Sequence, residues 1–372
     1  MINLFKRIFH WRLILNLISV LAVISLLTTY CCPYIHPKTI SVIPLFGLAY
    51  PYILLGNLLL LIFWIFFKSK WIFAISLTIL LGGSLHFRTF SFGSDDSFEN
   101  ETELNIMSYN VRLFDRYNTD RHKGNQTRIN ILKYLDDQQP DIICFQEFYQ
   151  QDLTKTFFTK DSIKVLLKSV DYYESVKHRL KGRQNFGVAL FSKYPIIEKG
   201  TLSFEESNSF NSCIYVDIIK DKDTFRIYNV HLESIRFKKD DYNLFNKEDL
   251  ASEEKHTKIY NLLNKVRRAY PTRAKQAEVI RAHLKDSPYP VIVCGDFNDT
   301  PMSYTYNLFN SVLCDAYRNT SKGTGSTYAG KIPIGRIDYI FHSESLGSRN
   351  FKIQREKLSD HYAISCSILK DH

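Results

Sequence analysis

The chain has 372 residues, 45% hydrophobic and 23% charged, with a formal net charge of +10, enough for one large domain or two smaller ones with a sizeable core. Seven of its 48 basic residues (Lys6, Arg7, Arg12, Lys38, Lys68, Lys70 and Arg88) fall in residues 1–90 beside no acidic residue, which leaves 41 basic against 38 acidic residues beyond. That near-neutral remainder excludes a domain that holds nucleic acid by bulk charge alone. Local clusters such as Lys177-His178-Arg179 or Lys265 with Arg267-Arg268 could still meet an anion.

Residues 1–90 carry three apolar runs, at about 13–30, 45–67 and 71–87, none with an acidic or basic side chain inside it. Each approaches the roughly 20 residues that a helix needs to cross the hydrocarbon core. Three in series predict a retained anchor of three transmembrane helices rather than a cleaved signal peptide. Basic residues precede the first run and lie between the second and third at Lys68 and Lys70, against a single Lys38 in the first loop. The positive-inside rule then predicts a multi-pass protein of the inner (cell) membrane, with everything after Arg88 on the periplasmic or extracytoplasmic side. The polar stretch 91–103, "SFGSDDSFENETE", reads as a linker to a soluble domain over 104–372.

From Leu104 the pattern changes to short β-rich runs. Strands are predicted at 105–108, 142–145, 188–192, 213–219, 224–231, 291–294, 337–341 and 363–368, with helices at 127–135 and 272–284. Seven cysteines include no CxxC pair and no zinc spacing, and Cys144, Cys213, Cys294 and Cys366 sit in strand-like apolar runs where a thiol acts as a small hydrophobe.

Polar residues gather at the strand ends: Asn110 in "SYNV", Glu147 in "FQEF", His231 in "NVHL", Asp296 and Asn298 in "CGDFND", Asp338 in "RIDYIF" and Asp360-His361 in "SDH". One such residue is ordinarily a turn former; the set is not so easily explained. Asp296 and Asn298 are two apart, so an extended backbone would aim both to one side while Phe297 returns to the core. Asn110, Glu147 and Asp360 offer the oxygen donors that Mg²⁺ prefers. His231 and His361 can donate to a phosphoryl oxygen or take a proton, and Asp338 can fix a ring's tautomer.

The motifs "SYNV", "QE", "NVHL", "GDFND", "RIDYIF" and "SDH" resemble, in order and approximate spacing, the endonuclease/exonuclease/phosphatase superfamily. That superfamily includes pancreatic-type DNases, abasic-site endonucleases, neutral sphingomyelinases and inositol-polyphosphate 5-phosphatases. The resemblance covers about residues 104–369 and implies an α/β fold, a four-layer sandwich of two packed mixed β-sheets flanked by helices. It further implies Glu147 as principal ligand of Mg²⁺ or Mn²⁺ with Asn110 and Asp360 nearby, and Asp296 activating or positioning the attacking water. By the same resemblance Asn298 holds the nucleophile or a phosphate oxygen, while His361, oriented by Asp338, and His231 contact the scissile phosphate. Within the family the proton acceptor is disputed; Asp296 is taken here as the base, with His361 as the alternative.

Substrate is not fixed by a shared fold. The resemblance implies a phosphodiester hydrolase that is nuclease-like, or alternatively a sphingomyelinase-like enzyme acting on a lipid or small phosphoester. No "WCDR" run occurs and Asp299-Thr300 follows "GDFN", which sets the inositol phosphatases aside. A catalytically silent membrane scaffold is disfavoured because no motif position is substituted.

Overall fold

The computed structural model describes the chain apart from residues 1, 94, 97–101, 118–120, 153–158, 205–210, 236–252, 331–333 and 372. All eight expected strands form, several of them longer than the sequence implied. They are β2 (Thr102–Asn110), β3 (Ile142–Gln151), β5 (Gln184–Ser192), β7 (Ser212–Lys220), β8 (Asp223–His231), β9 (Val291–Asp296), β12 (Asp338–His342) and β14 (Ile364–Lys370). Three further strands, β4 (Asp171–Leu180), β6 (Ile196–Leu202) and β13 (Gly347–Ile353), complete the sheet edges, with the two-residue β10 (Cys314–Asp315). Two six-stranded sheets result, in the orders β13-β14-β2-β3-β5-β4 and β10-β12-β9-β8-β7-β6. Each contains one parallel pair, β2 with β3 and β8 with β9, among antiparallel ones.

Period-2 alternation builds the layers. Leu104 and Ile106 of β2, Ile142 and Cys144 of β3, Ile227 of β8, Ile292 and Cys294 of β9 and Ile340 of β12 point between the sheets into one buried cluster. The intervening residues face outward. Met107, Ile143 and Phe145 meet Ile131 and Leu135 of α5 (Arg121–Gln138) and Ile163 of α6 (Thr159–Leu166). Val230, Val293 and Phe341 meet Ala277 and Ile280 of α7 (Glu253–Leu284) and Phe309 of α8 (Tyr304–Asn310). The result is the four-layer sandwich that the sequence implied. Helix α7 is much longer than the predicted 272–284, because Pro271 is carried inside it. A proline there removes one ladder hydrogen bond without forcing a break.

Ahead of the sandwich stand α1 (Ile2–Cys31), α2 (Ile43–Phe66), α3 (Trp71–Leu81) and α4 (Gly83–Thr89). Residues 11–31 and 43–66 are long and apolar enough to cross a membrane. The third expected span is not one helix: α3 and α4 meet at a 66° bend, and α3 alone rises only about 16 Å. Outward faces stay apolar and exposed, as at Leu17, Leu21, Leu55, Leu59 and Phe73. The 91–103 stretch is no free spacer where it is described. Ser91–Phe92 (β1) pairs with Lys322–Gly323 (β11), the backbone of Ser348 and Asn350 donates to Asp96 and Asp95, and Thr102 already belongs to β2.

Candidate active site

The inward-facing rows of the core end in polar side chains. Continuing each row by two residues past its last apolar member gives Asn229 and then His231 on β8, Asp296 on β9 and, in the antiparallel β12, Asp338; on β2 it passes Ser108 to reach Asn110. The alternation that makes the core therefore also aims the acids, amides and imidazole at the place where both sheets end.

Asp296 is the centre of the arrangement. It is 1% exposed, and its Oδ2 accepts from Asn110 Nδ2 at 2.9 Å and Asn298 Nδ2 at 3.2 Å, while its Oδ1 accepts from the Asn298 backbone N–H at 2.8 Å. The same Oδ2 lies 3.8 Å from His231 Nε2 and 3.7 Å from His361 Nε2. Asn298 does reach the side of Asp296, but not along an extended strand as expected. Its φ is +54°, a left-handed turn that Asn tolerates, and its amide also donates to Leu232 O at 3.0 Å. Phe297 is fully buried among Phe309, Tyr339 and Phe341.

Asp338 sits behind His361, which donates from Nδ1 at 3.1 and 3.0 Å to the two carboxylate oxygens. Burial alone would lower the His361 pKa, yet Asp338 and then Asp296 outweigh it and hold the imidazole well above its ordinary value. For Asp296, burial raises the carboxyl group above the usual range, helped by Asp338 and opposed by the two histidines. Both directions favour a proton: on the His361 ring, whose Nε2 lies 3.7 Å from Asp296 Oδ2, and on the Asp296 carboxylate beside it.

Glu147 reaches the site by a different route. Between Phe145↔Ala189 and Phe148↔Gly187 the β3–β5 register shifts, and Glu147 takes φ +48°. Such a left-handed residue costs about 1–3 kcal/mol and is characteristic of functional sites. Its side chain is 37% exposed, the most open of the acids there, with His231 Nε2 3.9 Å away. Although about a third of the side chain is open to solvent, the protein packed around the carboxyl group desolvates it and, with the nearness of Asp360, pushes it up to about 7. Asp360 is set by Ser359, whose hydroxyl donates to Asn110 O, and by Ala329 N–H, which donates to Asp360 O at 2.7 Å.

Three expected metal-associated residues thus gather, with a distinction among them. Asn110 points its amide N–H₂ at Asp296 while its Oδ1 accepts from Arg112 N–H at 3.0 Å, so it orders the acids more than it offers a free oxygen. Glu147, Asp296 and Asp360 line one cavity of about 180 Å³ in which no described lining residue is Lys or Arg. Crowded carboxylates, of which Asp360 and Asp296 raise the proton affinity of Glu147, are a donor set that fits a divalent cation. Ligand atoms of Asp296, Asp338 and His361 also come within 4.8 Å of one another, but the His361–Asp338 hydrogen bond accounts for that closeness without an ion.

Several residues join the site without a role assigned to them from the sequence, although Gln146 and Asn229 stand inside the strand-end motifs. Gln146 donates to Asn229 Oδ1 at 2.8 Å, and Asn229 Nδ2 donates to Phe145 O and Ala189 O, a buried lock between the sheets. Tyr328 stands edge-on to His361 at 5.4 Å and lines the cavity. Least expected is Leu48, from the first turns of α2, in the same wall.

A family model described as the endonuclease/exonuclease/phosphatase family matches residues 107–361, and a model for a domain of unknown function matches residues 8–90. No curated protein matches the sequence. Among solved structures, an endonuclease/exonuclease/phosphatase family protein from Bacteroides thetaiotaomicron is 21% identical, with a TM-score of 0.51 over 74% of this chain and 100% of its own. One from Bacteroides vulgatus is 19% identical, with a TM-score of 0.51 over 72% and 99%. D. rerio TDP2 in complex with a single-strand DNA product is 18% identical, with a TM-score of 0.50 over 72% and 99%. These likenesses concern the fold.

Proposed function

Since the chain belongs to the endonuclease/exonuclease/phosphatase family, we propose that it is a membrane-anchored phosphoester hydrolase that uses a divalent metal ion. The observation that carries this reading is Asp296, one carboxylate oxygen shared by two amides and approached by two imidazoles, one of them hydrogen-bonded from behind to Asp338.

In this reading a water molecule held between Asp296 and Asn298 attacks phosphorus. A new P–O bond forms, the bond to the leaving oxygen breaks, and the water's proton passes to Asp296. His361 and His231 donate hydrogen bonds to the phosphoryl oxygens as charge builds on them. His361 donates through Nε2–H because Asp338, which accepts from Nδ1–H, and Asp296 together favour the ring protonated on both nitrogens. Glu147 with Asp360, ordered by Asn110, would hold a Mg²⁺ or Mn²⁺ ion, whose contribution is to neutralise charge on the phosphoryl and leaving oxygens.

The topology reading gains support from where the helices touch the sandwich. The loop between α1 and α2 meets it, with His36 3.6 Å from Glu278 and Arg267 Nε donating to Ser41 Oγ at 3.1 Å. Lys68 and Lys70 follow the opposite end of α2. If those lysines are cytoplasmic, the catalytic domain is extracytoplasmic. Tyr34 in the loop before α2 and Trp71 after its far end suit the two interfacial belts.

The test is hydrolysis of bis-p-nitrophenyl phosphate by the full chain in detergent, with Mg²⁺, with Mn²⁺ and with chelator. Glu147→Gln should lower kcat by roughly 100-fold or more, in line with loss of one electrostatic stabiliser. Equal turnover by that variant would refute the assignment.

A further inference from the structure

The catalytic cavity does not end at its own rim. A second cavity of about 230 Å³ shares Leu48, Thr300 and Ile334 with it and extends along Gly47, Pro51 and Tyr52 of α2. Its opposite wall is Pro301, Met302 and the 324–326 loop. One side of this groove is therefore the beginning of a helix apolar enough to span a membrane, and its other side is the loop that carries Asp296 and Asn298. We propose that the groove binds the hydrocarbon chain of a membrane-resident phosphoester, admitted sideways from the bilayer along α2, with its phosphate at Asp296 and His361. This rests on the hydrolase reading and names the substrate class of that same site.

Three observations favour an amphiphile over a nucleic acid. The catalytic cavity has Leu48, Ile235, Ile334 and Ile337 around its acids and, among the described residues, no Lys or Arg in its lining, while Arg112 nearby is paired with Asp360 at 3.6 Å; a nucleic-acid channel instead tracks the phosphate backbone with free cations. Among the described residues the one cation lining the groove, Arg336, is 2% exposed, and its guanidinium donates to Asp315 and to the Arg88 carbonyl. Lastly, the groove reaches from Leu48, in the first turns of α2, to Tyr52, which is 56% exposed roughly 14 Å along that helix. A chain lying along this flank would stay at the depth of the hydrocarbon layer while its phosphate meets the acids beside the start of the helix.

The experiment uses the full chain in mixed micelles and two synthetic diesters with the same leaving group, p-nitrophenyl methyl phosphate and p-nitrophenyl hexadecyl phosphate. The wild type should prefer the hexadecyl ester in kcat/KM by about 100-fold, the gain expected from burying a few methylene groups. Thr324→Trp, which fills the groove from a residue outside the catalytic cavity, should erase most of that preference and leave turnover of the methyl ester unchanged. Tyr52→Arg, at the bilayer side, should act in the same direction if the tryptophan variant fails to fold. Equal kcat/KM for the two esters, an undiminished preference in both variants, or faster cleavage of single-stranded DNA than of the hexadecyl ester would overturn the proposal. Turnover of the methyl ester that is lost in Glu147→Gln upholds the hydrolase reading whatever the groove does; hydrolysis of neither ester removes both.

Discussion

His361 and Asp338 form the pair whose function is most sharply tested by a single atom. Asp338→Asn keeps the shape and one hydrogen bond to Nδ1 but removes the charge that, with Asp296, keeps the imidazole protonated. Since a positioned proton donor contributes about 10²–10⁴-fold, kcat should fall within that range while KM changes little, and steady-state kinetics on the diester at fixed metal concentration would check it. A loss confined to KM would mean that the pair only binds. Asn298 differs in kind, because its backbone also matters. At φ +54° glycine is at ease, so Asn298→Gly should preserve the melting temperature and lose activity, whereas Asn298→Val should lose both through left-handed strain of about 1–3 kcal/mol. Circular dichroism melts of the two variants separate the turn from the amide.

At the scale of elements, the register of β9 against β8 leaves no room at Gly295. A Cβ there would lie 2.0 Å from Val230 O, at φ +152°. Gly295→Ala should therefore destabilise the domain by about 2–3 kcal/mol, measured by denaturant unfolding; an unchanged midpoint would mean that the β8–β9 pair is looser than it looks. The alternation along these strands is also why so much of the site was legible beforehand. Asn110, His231, Asp296 and Asp338 sit in the same rows as Ile106, Ile227, Cys294 and Ile340, so locating the core located them. Glu147 obeys no such row. Its place depends on a bulge and a left-handed φ, which alternation does not encode; the sequence offered its strand-end position and donor type, and the family resemblance alone implied its rank as principal ligand. The edge strands β4, β6 and β13 were missed because their intermediate and exposed positions blur the apolar signal. The break between α3 and α4 was hidden by an uninterrupted apolar composition, in which Gly82 and Gly83 were the sole cue.

At the scale of the whole molecule, the anchor and the sandwich share one packed boundary. Met302, next to the "DFNDTP" turn, is buried among Leu26, Tyr30, Tyr50, Leu54 and Leu85 of the helices, and Arg336 Nη2 donates to Arg88 O at 3.0 Å. The sequence pattern, in which a polar stretch separates apolar runs from a β-rich region, could not reveal such a contact, because it forms between segments some 250 residues apart. Two glycines on α2 measure its tightness. At Gly47 an added Cβ would sit 2.7 Å from the Met302 carbonyl oxygen, while at Gly56 it would meet nothing within 4 Å. Gly47→Ala must displace backbone on one side or the other, and we expect it to lower stability by about 1–3 kcal/mol and to reduce turnover, because the displaced loop carries Asp296 and Asn298. Gly56→Ala, relieved of glycine's conformational cost, should leave stability unchanged or raise it by up to about 1 kcal/mol, with activity unaltered. Thermal unfolding in detergent, followed by diester turnover on the same samples, checks both. Identical behaviour of the two variants would mean that the helices merely tether the catalytic domain, whereas opposite signs within one helix would make the membrane region a wall of the active site.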